Sequence, residues 1–94
     1  MLKKVDDSTV QGDGFRVVVP NIHCVIYSED HRETQVEIEG GMSEDLVDWL
    51  IYAETLGDWR IERGIEPMTD SDREIVLSRI SGSLLVLNMP HRLA

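Results

Sequence analysis

Apolar and polar positions alternate most cleanly from Thr34 to Glu39. Thr34, Val36 and Ile38 occupy one set of positions and Gln35, Glu37 and Glu39 the other. A period of two marks a strand with one buried and one solvated face. Ile22 to Tyr27 is a second β-rich run, set off by the polar stretch Ser28 to Glu33. The two runs are expected to pair as a β-hairpin with Asp30 and His31 at its tip, and Gly40-Gly41 to end its second strand. Upstream, Phe15-Arg-Val-Val-Val-Pro20 reads as a strand that Pro20 stops or confines to an edge, since proline cannot donate to a ladder. Met1 to Gly14 is polar and reads as a loose lead-in with at most a short strand.

Ser43 to Leu56 supports two readings. As a helix, Ser43 caps it, Glu44 and Asp45 lie in the first turn, and Leu46, Trp49, Leu50, Ala53 and Leu56 share a face that Gly57 ends. As a strand, Val47, Trp49, Ile51 and Ala53 share a face, and a short helical turn follows across Glu54 to Gly57. Periodicity mildly favours the helix. Further on, Thr69 has the character of an N-cap, with Asp70 and Asp72 complementing the dipole of a helix that carries Ile75, Val76, Arg79 and Ile80. Gly82 is its expected stop. Leu84 to Leu87 then suits a buried final strand, and 89–94 a tail. These elements describe one α+β domain over 1–94: a small, mostly antiparallel sheet packed by one C-terminal helix, plus a short helical turn if the strand reading of Ser43 to Leu56 holds.

Composition narrows the function classes. With 41% hydrophobic and 29% charged residues, the 94-residue chain is expected to fold around one core. The lysines near the N-terminus have no apolar stretch behind them, which does not read as a signal peptide. A lone cysteine, Cys24, fits a reducing compartment. The expectation is a cytoplasmic protein. The formal net charge is −9, and it is concentrated: Ser28 to Glu74 holds 15 acids against 4 bases, a local balance of −11. Such a field repels nucleic acid and anionic membrane and steers basic partners. Equally, acidity keeps a small domain soluble.

Candidate chemistry is sparse. Glu37 and Glu39 lie side by side on the exposed strand face, as a carboxylate pair for acid–base work or as a solvated surface. Asp70, Asp72 and Glu74 could suggest a metal site, but a helix dipole alone selects acids there. His23 and Cys24 are adjacent on a strand and so diverge to opposite faces. Asp7 and Gly12 have the spacing of a calcium loop whose twelfth position would be Val18, not a glutamate. Gly40-Gly41 lacks the lysine or third glycine of a phosphate loop. No cofactor, metal ligand set or catalytic group is assigned. A binding module is the simplest reading.

The order of residues carries a resemblance. A β-rich hairpin ends Val36-Glu-Ile-Glu-Gly40, and an apolar run with tyrosine, Leu50-Ile-Tyr52, leads to Thr55-Leu56 and Trp59. Glu66-Pro67-Met68-Thr69 and a helix with Arg73, Ile75 and Ile80 follow. Over roughly Val25 to Ile80 this resembles the immunity protein 74 family of bacterial polymorphic-toxin immunity proteins. It departs from the family in placing Arg60-Ile-Glu-Arg63 before the proline. The resemblance implies a non-enzymatic α+β inhibitor that binds the C-terminal domain of a cognate secreted toxin. It also implies strand plus turn, not helix, over Ser43 to Leu56. If the toxin is a nuclease with a basic cleft, acidic residues would occupy it. The contact candidates are Asp30, Glu37, Glu39, Asp58 and Trp59, each with a plainer role as solvated acid or, for Trp59, core filler. The alternative is a regulatory interaction domain for another basic partner.

Overall fold

The computed structural model describes residues 1–43 and 46–94, with side chains outside 41–47. Among them, nine strands form one sheet, joined by one α-helix and a 3-10 turn. In chain order these are β1 (Lys3–Asp6), β2 (Thr9–Gln11), β3 (Phe15–Asn21), β4 (Cys24–Glu29), β5 (Arg32–Ser43), β6 (Leu46–Tyr52), the 3-10 turn (Ala53–Thr55), β7 (Trp59–Ile61), β8 (Gly64–Glu66), α1 (Asp70–Val86) and β9 (His91–Leu93). The sheet runs β1-β2-β3-β4-β5-β6-β9, and β7 pairs with both β5 and β8. All pairs are antiparallel except β6 with β9, between which the chain passes through α1.

β5 is the spine. Its first half, Arg32 to Glu37, pairs with β4 in the expected hairpin, closed by Asp30 and His31. On its other edge, Arg32 and Glu33 meet β7, and Glu37 to Ser43 meet β6. The strand therefore continues through Gly40-Gly41 instead of ending there. Gly40 allows this because the Trp49 indole lies across it, 3.4 Å from where a β-carbon would stand. β6 followed by the turn is the arrangement implied by the resemblance, in place of the periodic helix. The helix-capping role of Ser43 with Glu44 and Asp45 falls partly on residues outside those described.

The inward-facing positions of β3, β4, β5 and β6 build the core: Phe15, Val17, Val25, Tyr27, Val36, Ile38 and Ile51. Against them packs one helical stripe, Val76, Ile80 and Leu84, each fully buried. Burying one such side chain contributes roughly 1.5–3 kcal/mol, so the stripe carries α1 through Gly82. Both a stop at Gly82 and a strand at Leu84 to Leu87 are thus corrected. Gly82 instead gives room to Leu2, whose side chain would lie 3.4 Å from an added β-carbon. The helix ends at Val86 with Leu87 as C-cap, and beyond it Asn88, held at φ +59°, donates its N–H to the Leu85 carbonyl and Met89 N–H donates to that of Leu84. That is a Schellman ending, with Pro90 preventing continuation. At the other end, Thr69 caps as expected. Its hydroxyl accepts from Asp72 N–H at 3.0 Å, and the Asp72 carboxylate accepts from Thr69 N–H at 3.3 Å.

The lead-in and the tail are more structured than expected. β1 and β2 extend the sheet, anchored by fully buried Val10, and β9 closes the far edge beside β6. His91 fixes β9 to the helix, with Nε2 2.6 Å from the Ser81 hydroxyl and Nδ1 2.9 Å from the Met89 carbonyl. Because a carbonyl can only accept, Nδ1 carries a proton. No helix among the described residues is long and apolar enough to cross a membrane.

Candidate functional site

The strand alternation that buries Val36 and Ile38 leaves Glu37 and Glu39 exposed on the outer face of β5. Across the ladder, Glu37 lies opposite Tyr52 and Glu39 opposite Leu50. The Tyr52 hydroxyl donates to the Glu39 carboxylate. That bond, followed by partial desolvation and the charges of Glu39, Glu54 and Glu37, raises the Tyr52 hydroxyl above the ordinary tyrosine range. A phenol ringed by three carboxylates resists acquiring a negative charge of its own.

The backbone beneath this face is held by the 3-10 turn. Glu37 N–H donates to Thr55 Oγ1 at 2.8 Å, and that hydroxyl donates to the Tyr52 carbonyl at 2.7 Å. Thr34 Oγ1 donates to the Gly57 carbonyl at 2.8 Å. From the helix, the Arg73 guanidinium donates to the Leu56 and Ala53 carbonyls at 2.8 and 3.1 Å. The turn is therefore fastened to β5 on one side and to α1 on the other, and Glu37 inherits that rigidity.

Beside the carboxylates lies a hollow of about 630 Å³, lined by Ile22, His23, Glu37, Ile38, Glu39, Gly40, Trp49 and Tyr52. Ile22, at the β3–β4 turn, is 63% exposed on its rim. Two acids, two aromatic rings and an exposed isoleucine make this hollow suited to a basic side chain with an apolar stem. Tyr52 shares the outer face with the two acids, where a cation meets carboxylate charge and a phenol ring, while Trp49, the cross-strand partner of Gly40, lines the hollow from the core side of the sheet.

The five sequence-derived contact candidates do not form one cluster. Glu37 and Glu39 sit together, but Asp30 is at the hairpin tip before β5, roughly 23–30 Å along the strand from them at about 3.3 Å per residue. It is exposed, with a left-handed φ of +47° at the hairpin tip, a conformation that aspartate tolerates. Asp58 is exposed as well, and its carboxylate accepts from Met68 N–H at 3.1 Å, tying the β7–β8 hairpin to the approach to α1.

Trp59 is corrected as a contact: it is fully buried. Its indole N–H donates to Asp72 at 3.3 Å, the Arg32 guanidinium lies 4.1 Å over its ring, and Tyr27 packs against it at 5.9 Å. Donation from the Trp59 indole first, then from Thr69 N–H, holds the Asp72 carboxyl below the usual carboxylate range. Its aromatic neighbour is likewise fixed by charge: Tyr27 accepts from Arg79 at 2.7 Å and donates to Glu29 at 2.9 Å. Burial is the first cause that pushes the Tyr27 hydroxyl up to about 12.

Sequence reasoning missed Tyr52 and Glu54 as part of the acidic face, and Trp49, Ile22 and His23 as lining of the hollow beside it. Once 46–52 is read as a strand, alternation with Trp49 and Ile51 puts Tyr52 on the outer face, and the β5–β6 register then sets it opposite Glu37. Among the described residues, no group of three or more His, Cys, Asp or Glu side chains is arranged to hold a metal ion. Comparison with known family models, with characterised proteins and with solved structures yields no match to this chain.

Proposed function

We propose that this chain is a toxin-neutralising immunity protein, acting in the cytoplasm by binding and not by catalysis. It occupies the basic active-site cleft of a cognate toxin domain, taken here to be a nuclease. The observation that carries the reading is the outer face of β5: Glu37 and Glu39 together, the Glu39 carboxylate bonded by Tyr52 and the Glu37 backbone N–H bonded to the turn, beside a hollow lined by Tyr52 and Trp49. A nuclease cleft must attract phosphate and is therefore basic. An acidic face can stand in for that phosphate charge and accelerate encounter by steering. Tyr52 and Trp49 are of the residue types from which interfaces draw their main anchors.

A second support is the ordered set resembling the immunity protein 74 family. Tyr52, Thr55, Leu56 and Arg73 converge on one bonded unit, the 3-10 turn, so the residues that carry the resemblance also position Glu37. The test is association of the purified chain with the toxin domain encoded beside it, followed by rapid mixing. The expected result is a stable complex whose association rate falls steeply between 50 and 500 mM salt, on the order of tenfold or more for a steered pair. Failure of the two proteins to associate at low salt refutes the proposal.

A further inference from the structure

Beyond Glu37, β5 has no β4 partner, because β4 ends at Cys24 opposite Glu37. One further bond spans the gap, from Ile38 N–H to the His23 carbonyl at 3.0 Å. The direction of the next backbone groups follows from the other edge. Trp49 N–H donates to the Pro90 carbonyl and Ala94 N–H to that of Ile51, so Trp49 and Ile51 direct their backbone groups toward β9. Their cross-strand partners, Gly40 and Ile38, are then in non-hydrogen-bonded pairs with β6 and direct theirs the opposite way. The 630 Å³ hollow lies at this notch, with Ile22 and His23 at its end. Among the described residues, no strand covers it.

We infer that this notch is a strand-addition site, in which an extended basic segment of the partner continues the line of β4 along Ile38 and Gly40. The inference rests on the partner-binding reading above and specifies its mode. Main-chain bonds to an open strand edge provide affinity, and side chains at alternate positions provide selectivity. On one face, the incoming residues meet Glu37 and Glu39, which select lysine or arginine. On the other they meet Trp49, lying across Gly40, which selects apolar residues. Charge decides against a second copy of this chain as the occupant. Edge-to-edge pairing would bring the Glu37 and Glu39 carboxylates of two chains of net charge −9 together, and like charges across a ladder are destabilising.

The experiment uses the full chain labelled with 15N and a ten-residue peptide alternating lysine and valine. Two N-methylated versions, each blocking one alternating set of peptide amides, and a glutamate–valine peptide are compared with it. The expected result is a shift of the Gly40 amide resonance, with its hydrogen exchange slowed about tenfold or more. One N-methylated version should bind at least tenfold more weakly than the other, and the glutamate peptide should not bind. An unmoved Gly40 amide, equal binding of both N-methylated versions, or binding of the glutamate peptide would overturn the inference. So would protection of Gly40 by dimerisation without peptide. Strand addition without association with the toxin domain would retain this site and remove the proposed function. A toxin complex that leaves Gly40 exchanging freely would do the reverse.

Discussion

Replacing Tyr27 by phenylalanine isolates the buried hydroxyl that joins the sheet to α1. The ring itself should stay in place, stacked on Phe15 at 5.6 Å and packed on Trp59. What is removed is one hydrogen bond donated to Glu29 at 2.9 Å and one accepted from Arg79 at 2.7 Å. Bonds to charged groups contribute about 1.5–3 kcal/mol each, so two together set an upper limit near 6 kcal/mol. Neither partner is left alone, however. Arg79 and Glu29 already stand 3.9 Å apart, and Glu29 also accepts from Arg32 at 3.2 Å. A direct, partly solvated pair recovers up to about 1 kcal/mol, and avoiding an orphaned charge removes the largest penalty. The expected loss is about 2 kcal/mol, or roughly 8–16 °C in Tm for a domain of this size. Urea unfolding followed by tryptophan fluorescence measures it.

The same substitution carries a pH signature. With the folded hydroxyl pushed up to about 12 and the unfolded one near 10, stability from Tyr27 is complete below about pH 10 and lost as pH rises toward 12. The deficit of Tyr27→Phe relative to the parent should therefore shrink over that interval. A deficit below about 0.5 kcal/mol, or one independent of pH from 9 to 12, refutes the assignment of this hydroxyl as the link between sheet and helix.

Other substitutions test the remaining supports. Arg73→Met removes both bonds to the 3-10 turn and should cost about 1–3 kcal/mol, with faster amide exchange at Glu37 as the local readout. Asn88→Gly, at φ +59°, should keep the Schellman ending and change stability by less than about 1 kcal/mol, whereas Asn88→Val should cost more than that in thermal unfolding. Because the Asp72 carboxyl is held low in the fold, its contribution is present above about pH 4 and lost as pH falls through its folded value. Asp72→Asn should therefore flatten the acid limb of the stability curve.

The hairpin of β4 and β5 was legible because period-two alternation has one physical meaning, and the same alternation placed Glu37 and Glu39 on a solvated face. The start of α1 was legible from Thr69 and the acids after it. Its end was not. A glycine stops a helix only where nothing rewards continuation, and Leu84, buried one turn beyond Ile80, rewards it here. Gly40 misled in the same way: it marks a close approach by Trp49, not a strand end. The short strands β1 and β9 draw their stability from neighbours distant in sequence, so local pattern could not reveal them. Tyr52 entered the acidic face through cross-strand register, a property of the pair β5–β6 that neither strand displays alone. Trp59 carried the same ambiguity as any tryptophan between core and interface. The row of Phe15, Tyr27 and Trp59, with Arg32 and Arg79 over its ends, resolves it toward the core.

Protection of living cells bears most directly on the proposed role. The toxin domain that the proposed function requires is induced alone, with the parent chain, and with a Glu37→Lys, Glu39→Lys variant whose melting matches the parent. Surviving colonies are counted in each case. Restoration of growth by the parent and its loss with the charge-reversed variant is the predicted result. Equal killing with and without the parent chain contradicts the account.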